Sequence, residues 1–293
     1  MVIEKDIDKV FENSFNSVYA IGEIGINHNG DVELAKKIMV EAKQAGFSAV
    51  KFQKRNPEVT TPDLQKEIPR ETPWGMMTYL EYKKKIEFGE NEFQTINEFS
   101  KEIDLPWFAS AWDKDSLDFL ESFNLPVYKI ASACLTNANL LMDHSALNKP
   151  IILSTGMSSN EQISKAEKYF SENKLAILHC TSSYPCELSE LNLRVIETLK
   201  NNYPNRVIGY SGHESSLSTT LAAVTLGAKI VERHITIDRS LWGTDQSASL
   251  EPDGMRKLIG GIKNILLALG DGKKRVYDSE EKSIANLRVI DDL

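Results

Sequence analysis

Residues 107–156 read WFASAWDKDSLDFLESFNLPVYKIASACLTNANLLMDHSALNKPIILSTG. Three short apolar, β-prone runs, Trp107–Ala111, Val127–Ala131 and Ile151–Ser154, alternate here with two stretches of helical spacing, Lys114–Phe123 and Asn139–Leu147. Parallel strands need a long crossover, usually a helix, so the alternation predicts βαβ units and a parallel sheet. The rhythm continues in both directions. Upstream lie Tyr19–Ile26, Val32–Ala45, Ala49–Gln53 and Glu92–Ile103. Downstream come Glu161–Phe170, Leu175–Cys180, Leu191–Asn201, Val207–Tyr210, Leu217–Leu226, Lys229–Ile235 and Gly254–Leu269. Gly46 and Gly227 stand where helices should stop before the next strand. Eight strands and eight helices predict an α/β chain folded as a (β/α)8 TIM barrel over residues 19–270. An N-terminal extension, 1–18, and a C-terminal tail, 271–293, flank it.

The 293 residues carry 34 Lys+Arg against 42 Asp+Glu, a formal charge of −8, which excludes a nucleic-acid backbone as the main partner. No apolar run approaches the ~20 residues of a membrane span, and Met1–Asn16 lacks the apolar core of a signal peptide. Three cysteines, Cys134, Cys180 and Cys186, form no CxxC pair, so a reduced cytoplasmic protein is expected. No P-loop, GxGxxG or serine-hydrolase elbow occurs. One connection breaks the rhythm: the 37 residues Lys54–Glu90 read as a long loop after the second strand, on the face where barrel active sites are built.

Polar residues concentrate at the strands' C-terminal ends: Glu23 with Asn27-His28-Asn29-Gly30, Lys51, Ser110, Lys129 with Ser132, Ser154, His179, Ser211 with His213, and Glu232 with His234. Lys51 and Lys129 lie within apolar strands, where an ammonium needs an anionic partner. The partner is either a structural carboxylate, Glu23 or Glu232, or a bound phosphate or carboxylate helped by Ser110, Ser132, Ser154 and Ser211. His213 and His234 end adjacent strands, so their rings can converge on a divalent ion, with Glu23 a candidate third ligand; a structural role for the pair is the alternative. Cys180 follows His179, and neighbours on a strand face opposite ways, so no Cys–His nucleophile forms and Cys180 reads as core.

Together the segments GEIGINHNGD (22–31), AVKFQ (49–53), YKIASA (128–133), PIILSTGM (150–157), LHCTSSYP (178–185), GYSGH (209–213), VERHIT (231–236) and SLEP (249–252) resemble the N-acetylneuraminate (sialic acid) synthase family. The resemblance implies a metal-dependent transferase that condenses phosphoenolpyruvate with an aldehyde sugar, N-acetylmannosamine or a related hexosamine, to give a nonulosonic acid and phosphate. It implies that Lys51, Ser110, Lys129, Ser132, Ser154, Ser182 and Ser211 hold phosphoenolpyruvate, and that His213 and His234 bind the metal. By the same resemblance Glu23, Gln53, Tyr184 and Asp245 face the sugar, Glu232 assists proton transfer, and Glu23, Lys51 and Glu232 form the catalytic set. Mn²⁺ is the expected ion, with Mg²⁺ or Co²⁺ as alternatives, and a homodimer the expected assembly.

Three departures stand out. Ser211-Gly212-His213-Glu214 replaces a Ser-Asp-His pattern, moving a carboxylate one position beyond the histidine. Leu241–Gln246 reads LWGTDQ, keeping Asp245 but placing Trp242 and Gln246 on the sugar side. The chain reads as a short form without the C-terminal antifreeze-like (SAF) domain, so Arg55, Arg70 or Trp74 of the Lys54–Glu90 loop, or another subunit, would grip the sugar. A 3-deoxy-ulosonate synthase with a different or phosphorylated acceptor, and a catalytically silent sugar- or partner-binding barrel, are the competing readings.

Overall fold

Eight short segments rich in β-branched and aromatic side chains are almost wholly buried, because each contributes one face to a filled barrel interior and the other to a surrounding helix layer. In the computed structural model, which describes residues 2–12 and 17–291, these strands are β1 (Ser17–Gly25), β2 (Ala49–Lys54), β3 (Trp107–Ala111) and β4 (Tyr128–Ile130), followed by β5 (Ile151–Ser154), β6 (Leu175–Cys180), β7 (Val207–Gly212) and β8 (Ile230–His234). Each pairs in parallel with its sequence neighbour, and β8 pairs with β1, so the sheet closes on itself. This is the expected TIM barrel.

Its helices are α1 (Val32–Ala45), α2 (Glu90–Glu102), α3 (Lys114–Glu121), α4 (Ala138–Ala146), α5 (Asn160–Glu167), α6 (Val195–Asn202), α7 (Ser218–Thr225) and α8 (Pro252–Leu269). Local chemistry sets their ends. Asp31 accepts hydrogen bonds from the amides of Glu33 and Leu34 at the start of α1, and Gly46 closes that helix at φ 98°. Upstream of β1, Val2–Ile3 adds a short parallel strand and Ile7–Phe11 a helical turn, whose Ile3, Ile7 and Val10 join the core. Downstream of α8, the helix Glu281–Leu287 buries no residue. Met1 and residues 13–16 of the expected extension, and 292–293 of the tail, lie outside the described residues.

The segment expected as a long loop is instead a folded cap. It holds the helical turns Pro57–Thr60 and Asp63–Lys66, an antiparallel hairpin Pro69–Thr72/Gly75–Thr78, and a helix Tyr79–Ile86 started by a Thr78–Glu81 capping box. Its apolar side chains are too few and too local to show a period over a long window. Tyr82 and Ile86 bury against Ile26, with Met77, Tyr79 and Trp242 around them, which pins the cap to the loops after β1 and β8.

Behind the barrel wall, between β7, β8 and α7, Arg233 and Glu214 form a wholly buried ion pair at 3.3 Å. Glu214 also accepts hydrogen bonds from the Tyr210, Thr219 and Thr220 hydroxyls, and Arg233 donates to Thr220 and to the backbone carbonyl of Ser216. A Cβ on Gly212 would lie 2.6 Å from a Glu214 carboxylate oxygen, so the glycine makes room for that side chain. Removing one partner strands a buried charge. Glu214→Ala is therefore expected to lower the unfolding free energy by about 3–5 kcal/mol in urea titrations. A loss below about 1 kcal/mol would show that the arginine finds other compensation.

Candidate active site

Register decides which side chains meet. Residues directly opposite in a parallel pair point to the same face, and Glu23 lies opposite Lys51 on one side and His234 on the other. Gln53 is opposite Ser110, Ser110 opposite Lys129, Ser211 opposite Glu232, and Cys180 opposite Ser211. A bulge in β1 between Glu23 and Gly25, with Gly25 at φ 55°, lets the chain turn away after Glu23.

These residues line a cavity of about 190 Å³ at the C-terminal mouth of the barrel. Around it stand Glu23, Lys51, Gln53, Ser110, Lys129, Ser132, Ser154, Ser182, Tyr184, Ser211, His213, Glu232 and His234, all named from the sequence. Asp245 does not line the cavity but reaches its edge, with one carboxylate oxygen 3.8 Å from His234 Nδ1. Trp112 and Cys180 also line it and were not anticipated. Cys180 is buried but faces the mouth, near Ser132 (3.6 Å), Ser182 (3.7 Å) and His213 (3.8 Å). The core reading was therefore wrong about its direction. Its pairing with Ser211 across the sheet supplies the missing face.

The two lysines are both 3% exposed or less, yet their partners differ. Lys51 makes an ion pair with Glu23 at 2.7 Å and lies 3.8 Å from Glu232. Among the described residues Lys129 has no carboxylate within ion-pair reach. Its ammonium donates to Ser154 Oγ at 2.7 Å and to the Ile130 carbonyl at 3.1 Å. Burial holds the Lys129 pKa below its usual value, opposed by Glu232. Burial likewise pushes Glu23 up to about 7 against the pull of Lys51. For Glu232 burial is outweighed by Lys129 and Lys51, which hold it below the ordinary carboxylate range.

The histidine rings converge, with centroids 5.5 Å apart and Tyr184 packed against both. His213 Nδ1 lies 2.7 Å from the Thr181 carbonyl, an arrangement that puts its proton there and leaves the Nε2 lone pair free. His234 Nδ1 is buried without a hydrogen-bond partner, and burial lowers its pKa to about 4, so the ring is neutral. Against burial, Cys180 and the Thr181 carbonyl raise the His213 pKa, so a divalent ion would compete with a proton for its Nε2; two converging imidazoles fit such an ion. Among the described residues no cluster of three or more His, Cys, Asp or Glu side chains is arranged for one, so the remaining ligands would be water or substrate oxygens. Glu23 is engaged by Lys51 and Gln53, which argues against it as third ligand.

Two expected changes to the pocket are corrected. Glu214 points out of the barrel to Arg233 and places no carboxylate beside the histidines. Gln246 is buried and donates to the Asn27 carbonyl, bracing the β8 loop against the β1 loop. His28 also misses the cavity: its ring stacks on Phe88 at 3.8 Å and accepts from the Gly30 amide.

Fold and mouth define a class: a (β/α)8-barrel enzyme with a lysine-, serine- and histidine-lined site at the strands' C-terminal ends. Residues 38–274 match the NeuB family, and the chain belongs to that family. It is 41% identical over 258 residues to an N-acetylneuraminate-9-phosphate synthase of Drosophila melanogaster, covering 86% of this chain and 69% of that protein. It is 35% identical over 275 residues to an N,N'-diacetyllegionaminic acid synthase of Campylobacter jejuni, covering 92% and 82%. The crystal structure of N-acetylneuraminic acid (sialic acid) synthetase from Leptospira borgpetersenii, in complex with citrate, superposes with a TM-score of 0.82 at 34% identity, covering 92% and 90%.

Two imidazoles outside the histidine pair make stability pH-dependent. Burial lowers the pKa of His28 to about 3, helped by Arg55, and that of His144 to about 4. Below pH ~6.5 the unfolded chain binds protons that these folded imidazoles do not, so stability falls on acidification. At pH ~5.5 each should cost about 1.4 kcal/mol relative to neutral pH. His144→Leu should flatten the dependence of urea-unfolding free energy on pH between about 7.5 and 5.5. An unchanged slope would refute the burial of a neutral imidazole there.

Proposed function

We propose that this chain condenses phosphoenolpyruvate with the aldehyde of a six-carbon amino sugar, N-acetylmannosamine or a relative, giving a nine-carbon 3-deoxy-2-ketoacid and inorganic phosphate. The observation that carries the reading is Lys129. Its buried ammonium has neutral oxygens for partners and opens on a cavity lined by the hydroxyls of Ser110, Ser132, Ser154, Ser182 and Ser211. An anionic group supplied by a substrate would complete its coordination. Membership of the NeuB family and the activities for which its relatives are named support the same conclusion.

Lys129, Lys51 and the serines would anchor phosphoenolpyruvate by its phosphate and carboxylate, setting C3 against the aldehyde carbon. Gly156 leaves space for this: a Cβ there would come within 2.1 Å of Ser182 Oγ and 2.9 Å of Ser132 Oγ. Gln53, Tyr184 and Asp245 would orient the sugar, and Glu23 would supply the proton that turns the aldehyde oxygen into a hydroxyl. A divalent ion such as Mn²⁺, held by His213 and His234, would contribute Lewis-acid polarisation of the carbonyl. As the new C–C bond forms, charge develops at C2. Glu232, kept ionised by its neighbours, would take a proton from the water that adds there. Loss of phosphate from the resulting hemiketal breaks the C–O bond, so the bridging oxygen leaves with phosphate.

No described helix is long and apolar enough to cross a membrane. Residues 19–270 would form the catalytic unit, working in the cytoplasm as a homodimer. Three free, buried cysteines fit a reducing compartment. Exposed Met157 and Tyr184 at the mouth offer apolar surface for a two-fold partner.

With phosphoenolpyruvate labelled by ¹⁸O at the bridging position, the label should appear in the released phosphate; label retained in the ketoacid would overturn the C–O cleavage. Lys129→Met should lower kcat/KM for phosphoenolpyruvate by about 10²-fold or more, the loss expected for a buried charge-assisted contact. His213→Ala should abolish turnover without lowering the unfolding midpoint. Unchanged kinetics in either variant would remove that residue from the site.

A further inference from the structure

Strands β1 and β8 stand across the barrel from β4 and β5, so the side of the mouth away from Lys129 and Ser154 is closed by the cap and the β8 loop. Three cations meet there. The Arg70 guanidinium packs on Tyr79, Tyr82 and Trp242, at 5.6, 5.0 and 5.5 Å from their ring centroids. Lys83 Nζ lies 5.1 and 5.7 Å from the same two tyrosine rings. Two like charges therefore share one aromatic platform, which attracts cations but does not neutralise them. Among the described residues neither has a carboxylate within 4.0 Å.

Arg55, the third, is 7% exposed and spends Nε on Glu87 at 3.3 Å, while its Nη2 is buried with no hydrogen-bond partner. Its guanidinium stacks on Trp112, a residue of the mouth cavity. Burial, and then the Arg55 charge, lower the Lys83 pKa to about 8, with Arg70 adding to the effect and Asp245 and Glu87 opposing it. Glu87 is occupied by Lys54 and Arg55, and Asp245 turns to Thr244 and His234. The group that would relieve all three cations is a multiply charged anion.

We propose that Arg70, Lys83 and Arg55 form the subsite for a phosphate carried by the acceptor sugar on the carbon farthest from its aldehyde. The assignment rests on the condensation reading above. With the aldehyde beside Glu23 and His234, a six-carbon chain running past Asp245 points its far end toward the cap. Relatives that make phosphorylated and unphosphorylated products both belong to the family, so membership alone leaves the acceptor open. The cation cluster selects the phosphorylated one. A terminal phosphate also suits the site chemically, because guanidinium groups match its oxygens in bidentate geometry and lysine adds a point charge.

The test compares N-acetylmannosamine with its 6-phosphate in the full chain, with phosphoenolpyruvate and Mn²⁺, by ketoacid formation. Wild type should favour the phosphorylated sugar in kcat/KM by about 100-fold or more, and Arg70→Gln and Lys83→Met should each cut that ratio by about tenfold or more. A wild-type preference for the unphosphorylated sugar would overturn the subsite. So would variants that slow both sugars equally, because that is the signature of cations that merely hold the cap in place. Calorimetry of each sugar without phosphoenolpyruvate separates this inference from the one beneath it. Tighter binding of the 6-phosphate, lost in Lys83→Met, would support the subsite even if no ketoacid formed and the condensation reading failed. Equal or absent binding of the two sugars would overturn the subsite whatever the turnover.

Discussion

Two ammonium groups buried in one barrel mouth repel each other and lose their hydration, and the rest of the site is arranged around that cost. Lys51 is relieved by Glu23 across one strand boundary. Lys129 is left with a hydroxyl and a carbonyl. The difference makes the mouth electrically lopsided: carboxylates gather toward β1 and β8, while the serine-lined side has one unmatched positive charge. In the proposed reaction the anionic substrate would sit there, leaving the sugar the side that holds Glu23, the histidines and Asp245.

Alternation along a strand keeps chemistry and stability apart within a few residues. Glu232 and His234 face inward to the cavity, while Arg233 between them faces outward into its pair with Glu214. The outer pair fixes the end of β7 against β8, where His213 follows one strand and His234 ends the other. A buried ion pair of this kind is weak evidence of net stabilisation but strong evidence of a fixed arrangement. Here the thing fixed is the approach of His213 to His234.

Most of the barrel was legible because each strand is an apolar run of the right length and each helix has its own period, both local signals. The site was legible for a related reason: Lys51, Lys129 and Glu232 are conspicuous in strands that are otherwise apolar. What escaped depends on contacts distant in sequence. Cys180 was given its correct strand, but alternation fixes only which residues share a face; its alignment with Ser211 decides that the face is inward. Glu214 looked like a carboxylate gained just beyond His213 until Arg233, nineteen positions on, claimed it. The cap looked irregular because Tyr82 and Ile86 bury against Ile26 and Trp242, residues supplied by other parts of the chain. Gln246 was placed on the sugar side for want of its contact with Asn27.

The cap is joined to the barrel through a small apolar cluster of its own, separate from the main core. In the proposed reaction the strands would hold the groups that handle the three-carbon substrate, and an insertion between β2 and α2 the groups at the far end of the site. Such a division lets one part drift while the other stands still. Replacing a few side chains on the insertion would change which sugar is accepted without disturbing bond formation, and the barrel would tolerate the exchange because little of its packing runs through that segment. A catalyst built this way diversifies its products at its edge.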